Sequence, residues 1–146
     1  MEKGIDSFMN YLRQQFHFED GDLRTYSPLT FAYIGDCIYD LVIRTLVVKQ
    51  GNSQPNKLHK RVSSLVKASA QSELMERLLP VLTEEELKIY KRGRNAKSYT
   101  IAKNASMMDY RNATGLETLM GYLYMKEDMQ RLIDLIKLGL DKGDLG

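Results

Sequence analysis

Two acidic residues, Asp36 and Glu117, stand inside otherwise apolar stretches of the sequence. Aspartate is a poor residue inside a helix because its short polar side chain prefers helix caps. Gly35, beside Asp36, costs a helix about 1 kcal/mol relative to alanine, and its small size suggests close approach by another group. Glu117 has Thr114 about one turn before it and Gly121 one turn after it. We interpret these small residues as open space around the Glu117 carboxylate.

Two carboxylates on distant helices could converge on a hard cation, and Mg²⁺ prefers such oxygen ligands. A buried carboxylate is costly unless a partner or a metal compensates its charge. The spacing leaves an alternative open, since an aspartate in an amphipathic helix usually lies on the solvated side. Asp40 follows Asp36 by four positions, about 6 Å along a helix axis, and we expect it to be a surface or supporting residue. The hypothesis is therefore a Mg²⁺ site at Asp36 and Glu117.

Positive charge is concentrated in residues 88–111, which hold seven basic residues and one acidic residue. This segment has a net charge of +6, against +2 for the whole chain. Its mixture of cations with small, amide and hydroxyl side chains suits a phosphate backbone. A second basic group lies within residues 57–67, and for both groups the alternative is a solvated basic face. The candidate nucleic-acid contacts are Lys57, Lys60, Arg61, Arg92, Arg94, Asn95, Lys97 and Lys103.

The hydrophobic pattern has a helical period throughout and predicts no strands. We expect an all-α fold of about seven helices, in a single domain that spans residues 1–146. An N-terminal helix near residues 5–16 belongs to an N-terminal extension over residues 1–20. The polar, glycine-rich residues 141–146 are expected to be a frayed tail.

Local signals predict where individual helices begin. Ser27 followed by Pro28 is typical of an N-cap with proline at the first helical position. Thr83 and Glu86 have the spacing of a capping box, in which each side chain binds the other residue's backbone N–H. We expect a turn around Gly93 to interrupt the helix that this capping box begins.

Composition excludes several classes of protein. The single cysteine, Cys37, rules out an internal disulfide framework and a cysteine-based zinc site, and it favours a reducing cytosol. The N-terminus lacks the basic region and apolar stretch of a signal peptide. No run approaches the roughly 18 consecutive apolar residues of a membrane span. We therefore expect a cytoplasmic protein without a membrane partner.

Residues 33–36, Tyr-Ile-Gly-Asp followed by an apolar helix, resemble the signature helix of ribonuclease III nuclease domains. The whole opening over residues 28–36 resembles the Mini-ribonuclease III branch of that family in particular. Residues 116–124 are similar to the second carboxylate helix of that family. The loop over residues 92–98 resembles specifically the Mini-ribonuclease III branch, which lacks the usual double-stranded-RNA-binding domain. The resemblance covers about residues 20–140.

The resemblance implies an all-helical homodimer that cleaves double-stranded RNA with Mg²⁺. It implies that Asp36 and Glu117 are the catalytic, metal-binding carboxylates. Other members of the family have further acids where this chain has Ala32 and Thr114. The resemblance therefore implies a reduced site, in which waters and RNA oxygens complete the metal shell. The Mini-ribonuclease III branch is associated with the maturation of 23S ribosomal RNA precursors, which implies that RNA as substrate.

For the dimer, we expect the apolar face of the Asp36 helix, with Phe31 and Ile38, to form the interface. Three other functions remain as alternatives. A non-catalytic RNA-binding module would use the basic residues alone. An all-helical nucleotide pyrophosphohydrolase would need paired Glu-x-x-Glu motifs, and Glu73 with Glu76 is the one such spacing in the sequence. A structural adaptor would leave the acids within apolar stretches unexplained.

Overall fold

The computed structural model of the protein describes residues 4–96, 106–141 and 143–145. Within these ranges the chain forms seven α-helices, two short 3₁₀ turns and no strand, which confirms the all-α prediction. The 3₁₀ turns are Leu23–Thr25 and Leu79–Val81. None of the described helices is both long and apolar enough to cross a membrane. The helices are α1 (Ile5–Phe16), α2 (Pro28–Lys49), α3 (Pro55–Val66), α4 (Ala68–Leu78), α5 (Glu84–Arg94), α6 (Met107–Met125) and α7 (Met129–Gly139).

Helices α2 and α5 begin at the predicted residues. The Ser27 hydroxyl accepts a hydrogen bond from the backbone N–H of Thr30 at 3.2 Å, and Pro28 occupies the start of α2. The capping box of α5 is complete. Thr83 donates its backbone N–H to Glu86 Oε1 at 2.8 Å, and Glu86 returns its own N–H to Thr83 Oγ1 at 3.1 Å. These contacts satisfy N–H groups that the first helical turn leaves without a backbone partner.

The predicted turn at Gly93 is wrong, because α5 continues through this residue to Arg94. Gly93 is buried against α6, where an added Cβ would lie 2.2 Å from Thr118 Oγ1. Gly115 of α6 has a matching role, since a Cβ there would lie 2.6 Å from the Tyr90 ring. The glycines at this contact allow the two helices to approach closely. From the sequence alone, a glycine at a helix–helix contact could not be distinguished from a glycine in a turn.

Helix α6 lies at the centre of the fold and packs against α2, α4, α5 and α7. Gly35 of α2 lies against Glu117, and Phe31 lies against Gly121, so α2 and α6 run antiparallel. A Cβ on Gly35 would lie 1.7 Å from the Glu117 carbonyl oxygen, and one on Gly121 would lie 1.8 Å from the Phe31 carbonyl oxygen. The prediction of open space at Gly121 is therefore wrong. The group that approaches Gly35 is the backbone of α6.

The expected dimer contacts at Phe31 and Ile38 are also wrong, because both residues lie inside the chain. They are 2% and 7% exposed, respectively. Helix α2 is apolar around most of its circumference, so the sequence pattern did not show which face packs on α6. The exposed apolar residues of α2 include Leu29, Tyr33 and Leu41.

The two ends of the chain contact the helical core. Arg13 of α1 forms an ion pair with Glu127, just after α6. In the tail that the sequence predicts to be frayed, Asp144 lies 3.8 Å from Arg77 of α4. Leu145 packs against the hydrophobic core.

Candidate active site

Asp36 and Glu117 lie in one cleft between α2 and α6. The close packing at Gly35 positions this pair, because it brings the turn of α2 that carries Asp36 against the turn of α6 that carries Glu117. The cleft has a volume of about 450 Å³. Its walls are mostly apolar and aromatic, and they include Leu29, Ala32, Tyr33, Ile34, Cys37, Tyr110 and Thr114. The fold thus brings together two carboxylates that are 81 positions apart in the sequence.

The two carboxylates have different surroundings. The Asp36 residue is exposed, whereas Glu117 is partly buried. Burial raises the pKa of Glu117 from 4.5 to about 8, and the charge of Asp36 and a hydrogen bond with its side chain add to this rise. A hydrogen bond from Gln71 opposes the rise. At neutral pH, ionising both carboxylates is therefore unfavourable unless a cation compensates their charge.

The interior beside Glu117 contains two unusual polar atoms. The Tyr39 hydroxyl and Gln71 Oε1 are buried and have no hydrogen-bond partner among the described residues. Burial raises the pKa of Tyr39, and the charges of Asp144 and Glu117 add to this effect. Unpaired buried polar atoms are rare in folded proteins. The buried interior near Glu117 therefore contains polar atoms as well as apolar side chains.

The donor set of the cleft fits a hard divalent cation such as Mg²⁺, which binds oxygen ligands and keeps several waters. Asp36 and Glu117 supply carboxylate oxygens, and a cation between them would favour the ionised form of Glu117. Thr114 donates its hydroxyl to the Tyr110 carbonyl at 3.0 Å, within α6. Within the described ranges, no cluster of three or more His, Cys, Asp or Glu residues suited to a metal occurs. Solvent or substrate oxygens must therefore complete a metal shell here.

Known proteins are similar to this chain. The ribonuclease III domain matches residues 29–128, which include both carboxylates of the cleft. The chain belongs to the ribonuclease III family. It is 49% identical over 122 residues to Mini-ribonuclease 3 of Clostridium tetani, covering 83% of this chain and 81% of that protein. It is 42% identical over 140 residues to Mini-ribonuclease 3 of a Thermoanaerobacter species, covering 96% of each chain.

A solved structure agrees with this assignment. The crystal structure of a Fusobacterium nucleatum protein matches this chain with a TM-score of 0.72 and 32% sequence identity. The match covers 80% of this chain and 93% of that protein. Membership of the ribonuclease III family confirms the resemblance seen in the sequence and makes the chain an endoribonuclease. The matched range begins after α1, so α1 lies outside the matched ribonuclease III domain.

Part of the predicted basic surface is the end of α5, which packs against α6 of this ribonuclease III domain. Arg92 and Arg94 are in the last turn of α5, and Asn95 caps it. This end of α5 packs against the stretch of α6 on either side of Glu117. Arg92 and Asn95 are exposed. The partly buried Arg94 places its guanidinium carbon 5.6 Å from the centre of the Tyr90 ring.

The second basic group lies farther away. Its members on α3 are all exposed: Lys57, Lys60 and Arg61. Helix α3 packs near Val47, which is 11 residues after Asp36 and so roughly 16 Å along the axis of α2. The structure thus separates this group from the carboxylates. The two remaining predicted contacts lie outside the described residues: Lys97 and Lys103.

Asp40 does not line the cleft that holds Asp36 and Glu117. Its carboxylate instead accepts a hydrogen bond from Arg44 Nε at 2.6 Å. This exposed pair agrees with the expectation that Asp40 is a surface or supporting residue.

Sequence reasoning missed Gln71, a buried residue of α4 whose amide opposes the rise in the pKa of Glu117. A signal was present, because Gln71 precedes Leu74 and Met75 by three and four positions. Residues at these spacings share one face of a helix. A glutamine on an apolar helix face is a polar residue directed toward the core. What the sequence did not show was that Glu117 lies at the same place.

Proposed function

We propose that the chain is a Mg²⁺-dependent endoribonuclease that cleaves double-stranded RNA as a homodimer. We further propose that it matures 23S ribosomal RNA precursors. The observation that carries this function is the pairing of Asp36 and Glu117 in one open cleft of a ribonuclease III domain. The names of its relatives, Mini-ribonuclease 3, support an RNA substrate.

In this function Asp36 of α2 and Glu117 of α6 are the catalytic residues and would hold the metal. A Mg²⁺ ion bound there would supply activation of water and stabilisation of the charge that develops on the phosphate. Glu117 would give up its proton to the solvent on binding the cation, because the cation would replace that proton as the source of compensating charge. Ala32 and Thr114 leave positions in the wall for waters and RNA oxygens.

The RNA duplex is bound through its shape, by contacts with phosphates and 2′-hydroxyl groups. The end of α5 is the nearer binding surface, since it packs beside the Glu117 turn. The exposed cations of α3 are a second surface, which a long duplex contacts away from the cleft. The proposed contacts are Lys57, Lys60, Arg61, Arg92, Arg94, Asn95, Lys97 and Lys103.

The homodimer is supported by an apolar stripe on α2. Leu29, Tyr33 and Leu41 are 40%, 83% and 57% exposed, respectively. Leu29 and Tyr33 also form part of the cleft wall, and Leu41 follows about two helical turns after Tyr33. Exposed apolar stripes of this kind often mark protein interfaces. A two-fold dimer also carries two equivalent clefts, one for each strand of a duplex. Light scattering should give twice the mass of one chain, and the mass of a single chain at assay concentrations would exclude the dimer.

The function is tested by incubating the protein with a long RNA duplex in Mg²⁺ or in EDTA. We expect cleavage with Mg²⁺ and none with EDTA. The variants D36N and E117Q should each lower the cleavage rate by about 100-fold or more, because each removes a charged metal ligand. The matched control is D40N, which removes an acid one helical turn from Asp36 but outside the cleft. We expect D40N to cleave at nearly the wild-type rate.

A duplex that stays intact with Mg²⁺ contradicts the proposed activity, and binding without cleavage identifies a non-catalytic RNA-binding module. If D36N or E117Q cleaves like wild type, that residue is not catalytic. A 23S precursor stem should yield discrete ends, whereas an unrelated duplex of equal length should be cut less selectively. Equal rates and equally scattered ends on both RNAs would refute the assignment to 23S precursors but not the proposed cleavage of double-stranded RNA.

A further inference from the structure

Arg61 of α3 is held by a neutral group. Its Nη2 donates a hydrogen bond to Oε1 of Gln50, the C-cap residue of α2. Among the described residues, no carboxylate pairs with Arg61. Five other arginines each pair with at least one carboxylate: Arg13, Arg24, Arg44, Arg77 and Arg131. The positive charge of Arg61, unlike theirs, is therefore not cancelled by the group that holds it.

The amide of Gln50 is fixed at both of its ends. Its Nε2 donates to the Leu145 carbonyl oxygen, and the Leu145 side chain packs against the hydrophobic core. A carbonyl only accepts and a guanidinium only donates, so the NH₂ group must face Leu145 and Oε1 must face Arg61. The backbone N–H of Gln50 also donates to the Val47 carbonyl oxygen at 3.2 Å. The acceptor for Arg61 is thus held in one orientation on the end of α2.

This contact prepares Arg61 to bind an anion. The guanidinium has several N–H donors, and the bond with Gln50 uses one N–H of Nη2. Arg61 is exposed, so its remaining donors are free to bind a ligand from solvent. Holding a long side chain before binding reduces the entropy that it loses on binding. A carboxylate at this position would also hold Arg61, but it would cancel the charge that attracts a phosphate.

Arg94, another of the proposed RNA contacts, is held in the same way. Its Nε donates to Asn95 Oδ1 at 3.2 Å, and its guanidinium carbon lies 5.6 Å from the centre of the Tyr90 ring. Within the described residues no carboxylate pairs with Arg94 either. Two of the arginines in the proposed RNA surface are therefore held by neutral amides.

We propose that Gln50 is a positioning residue for RNA binding. Its amide holds the Arg61 guanidinium in place for a phosphate of the duplex and leaves the charge of Arg61 intact. Gln50 does not itself contact the RNA in this role. The role rests on the proposed function, in which the exposed cations of α3 contact the duplex away from the cleft.

The test is the variant Q50M, which keeps the size of the side chain but removes both hydrogen bonds of its amide. Cleavage of an RNA duplex at fixed Mg²⁺ gives KM for RNA and kcat separately. We expect KM to rise about threefold while kcat stays unchanged, because Arg61 acts on binding and lies away from the carboxylates. R61M should raise KM by about fivefold or more, since it removes the cation itself. Adding Q50M to R61M should raise KM no further, because Gln50 acts through Arg61.

The matched control is Q54M, the same replacement just before α3. Gln54 is exposed, and its side chain makes no hydrogen bond to the start of α3. We expect Q54M to have the wild-type KM. Q50E tests the role of charge, because its carboxylate can still accept from Arg61 but cancels the positive charge. Q50E should raise KM more than Q54E, which adds the same charge at a side chain that does not hold Arg61.

A wild-type KM in Q50M would overturn the positioning role, as would equal increases in Q50M and Q54M. Increases by Q50M and R61M that add in the double variant would also overturn it, because Gln50 would then act independently of Arg61. Equal effects of Q50E and Q54E would refute the argument from charge. A wild-type KM in R61M would remove Arg61 from the proposed RNA surface, and the role of Gln50 with it. A raised KM in R61M with a wild-type Q50M would remove the role of Gln50 alone.

Discussion

Replacing Glu117 with glutamine should stabilise the metal-free protein at alkaline pH, although it removes a carboxylate that we propose to be catalytic. Burial and the nearby Asp36 raise the pKa of Glu117 from 4.5 to about 8 in the folded protein. Between these values the folded protein keeps a proton that the unfolded chain releases. Wild-type stability therefore falls as pH rises through this window. The glutamine of E117Q does not ionise, so the variant avoids this loss.

The magnitude follows from the two pKa values. A pKa difference of one corresponds to about 1.4 kcal/mol, so a rise from 4.5 to about 8 corresponds to at most about 5 kcal/mol. Water at the open side of the cleft screens part of this effect. We expect E117Q to exceed wild type by about 2–4 kcal/mol in free energy of unfolding at pH 9. Near pH 4 the ionisation of Glu117 should contribute little to the difference in free energy of unfolding between E117Q and wild type. The reason is that Glu117 is then mostly protonated in both the folded and the unfolded protein.

The assay is urea unfolding followed by circular dichroism from pH 4 to pH 9, at one protein concentration and with EDTA present. E76Q is the matched control, because Glu76 is exposed. We expect it to change the free energy of unfolding by less than about 0.5 kcal/mol at each pH. The reasoning is refuted if the advantage of E117Q over wild type does not grow with pH. On the proposed function, added Mg²⁺ should raise the stability of wild type more than that of E117Q, because a ligand that binds only the folded state stabilises it.

Two further predictions concern contacts inside the fold, the close packing at Gly35 and the ion pair of Arg131 with Glu86. G35A should lower the free energy of unfolding by about 3 kcal/mol or more, because its Cβ would lie 1.7 Å from the Glu117 carbonyl oxygen. G143A, where an added Cβ meets nothing within 4 Å, is its control in the same urea titration, and equal effects would contradict the packing argument. R131M should lower the free energy of unfolding by about 3 kcal/mol, because it leaves Glu86, which is 5% exposed, without the cation that compensates its charge. Arg131 lowers the pKa of Glu86. The difference in free energy of unfolding between wild type and R131M should therefore shrink as acid protonates the Glu86 carboxylate. A difference that stays constant from pH 7 to pH 3 would disprove the ion-pair explanation.

The sequence by itself determined the features that depend on neighbouring residues. The start of α2 at Ser27 and Pro28 and the capping box at Thr83 and Glu86 were predictable, because caps are made within a single turn of helix. The helical period likewise predicted the all-α class. Asp36 was recognisable as a candidate site residue, because an acid within an apolar helix is unusual whichever element the helix packs against.

Only the tertiary structure decided what lies against each helix. Gly93 has the composition of a turn, but contact with α6 keeps it helical. The small size of Gly35 suggests close approach by another group, but only the structure shows that this group is the backbone of α6. That contact places Glu117 in the same cleft as Asp36. Convergence of this kind depends on packing between distant segments. The spacing of residues within one segment does not show which other segment packs against it.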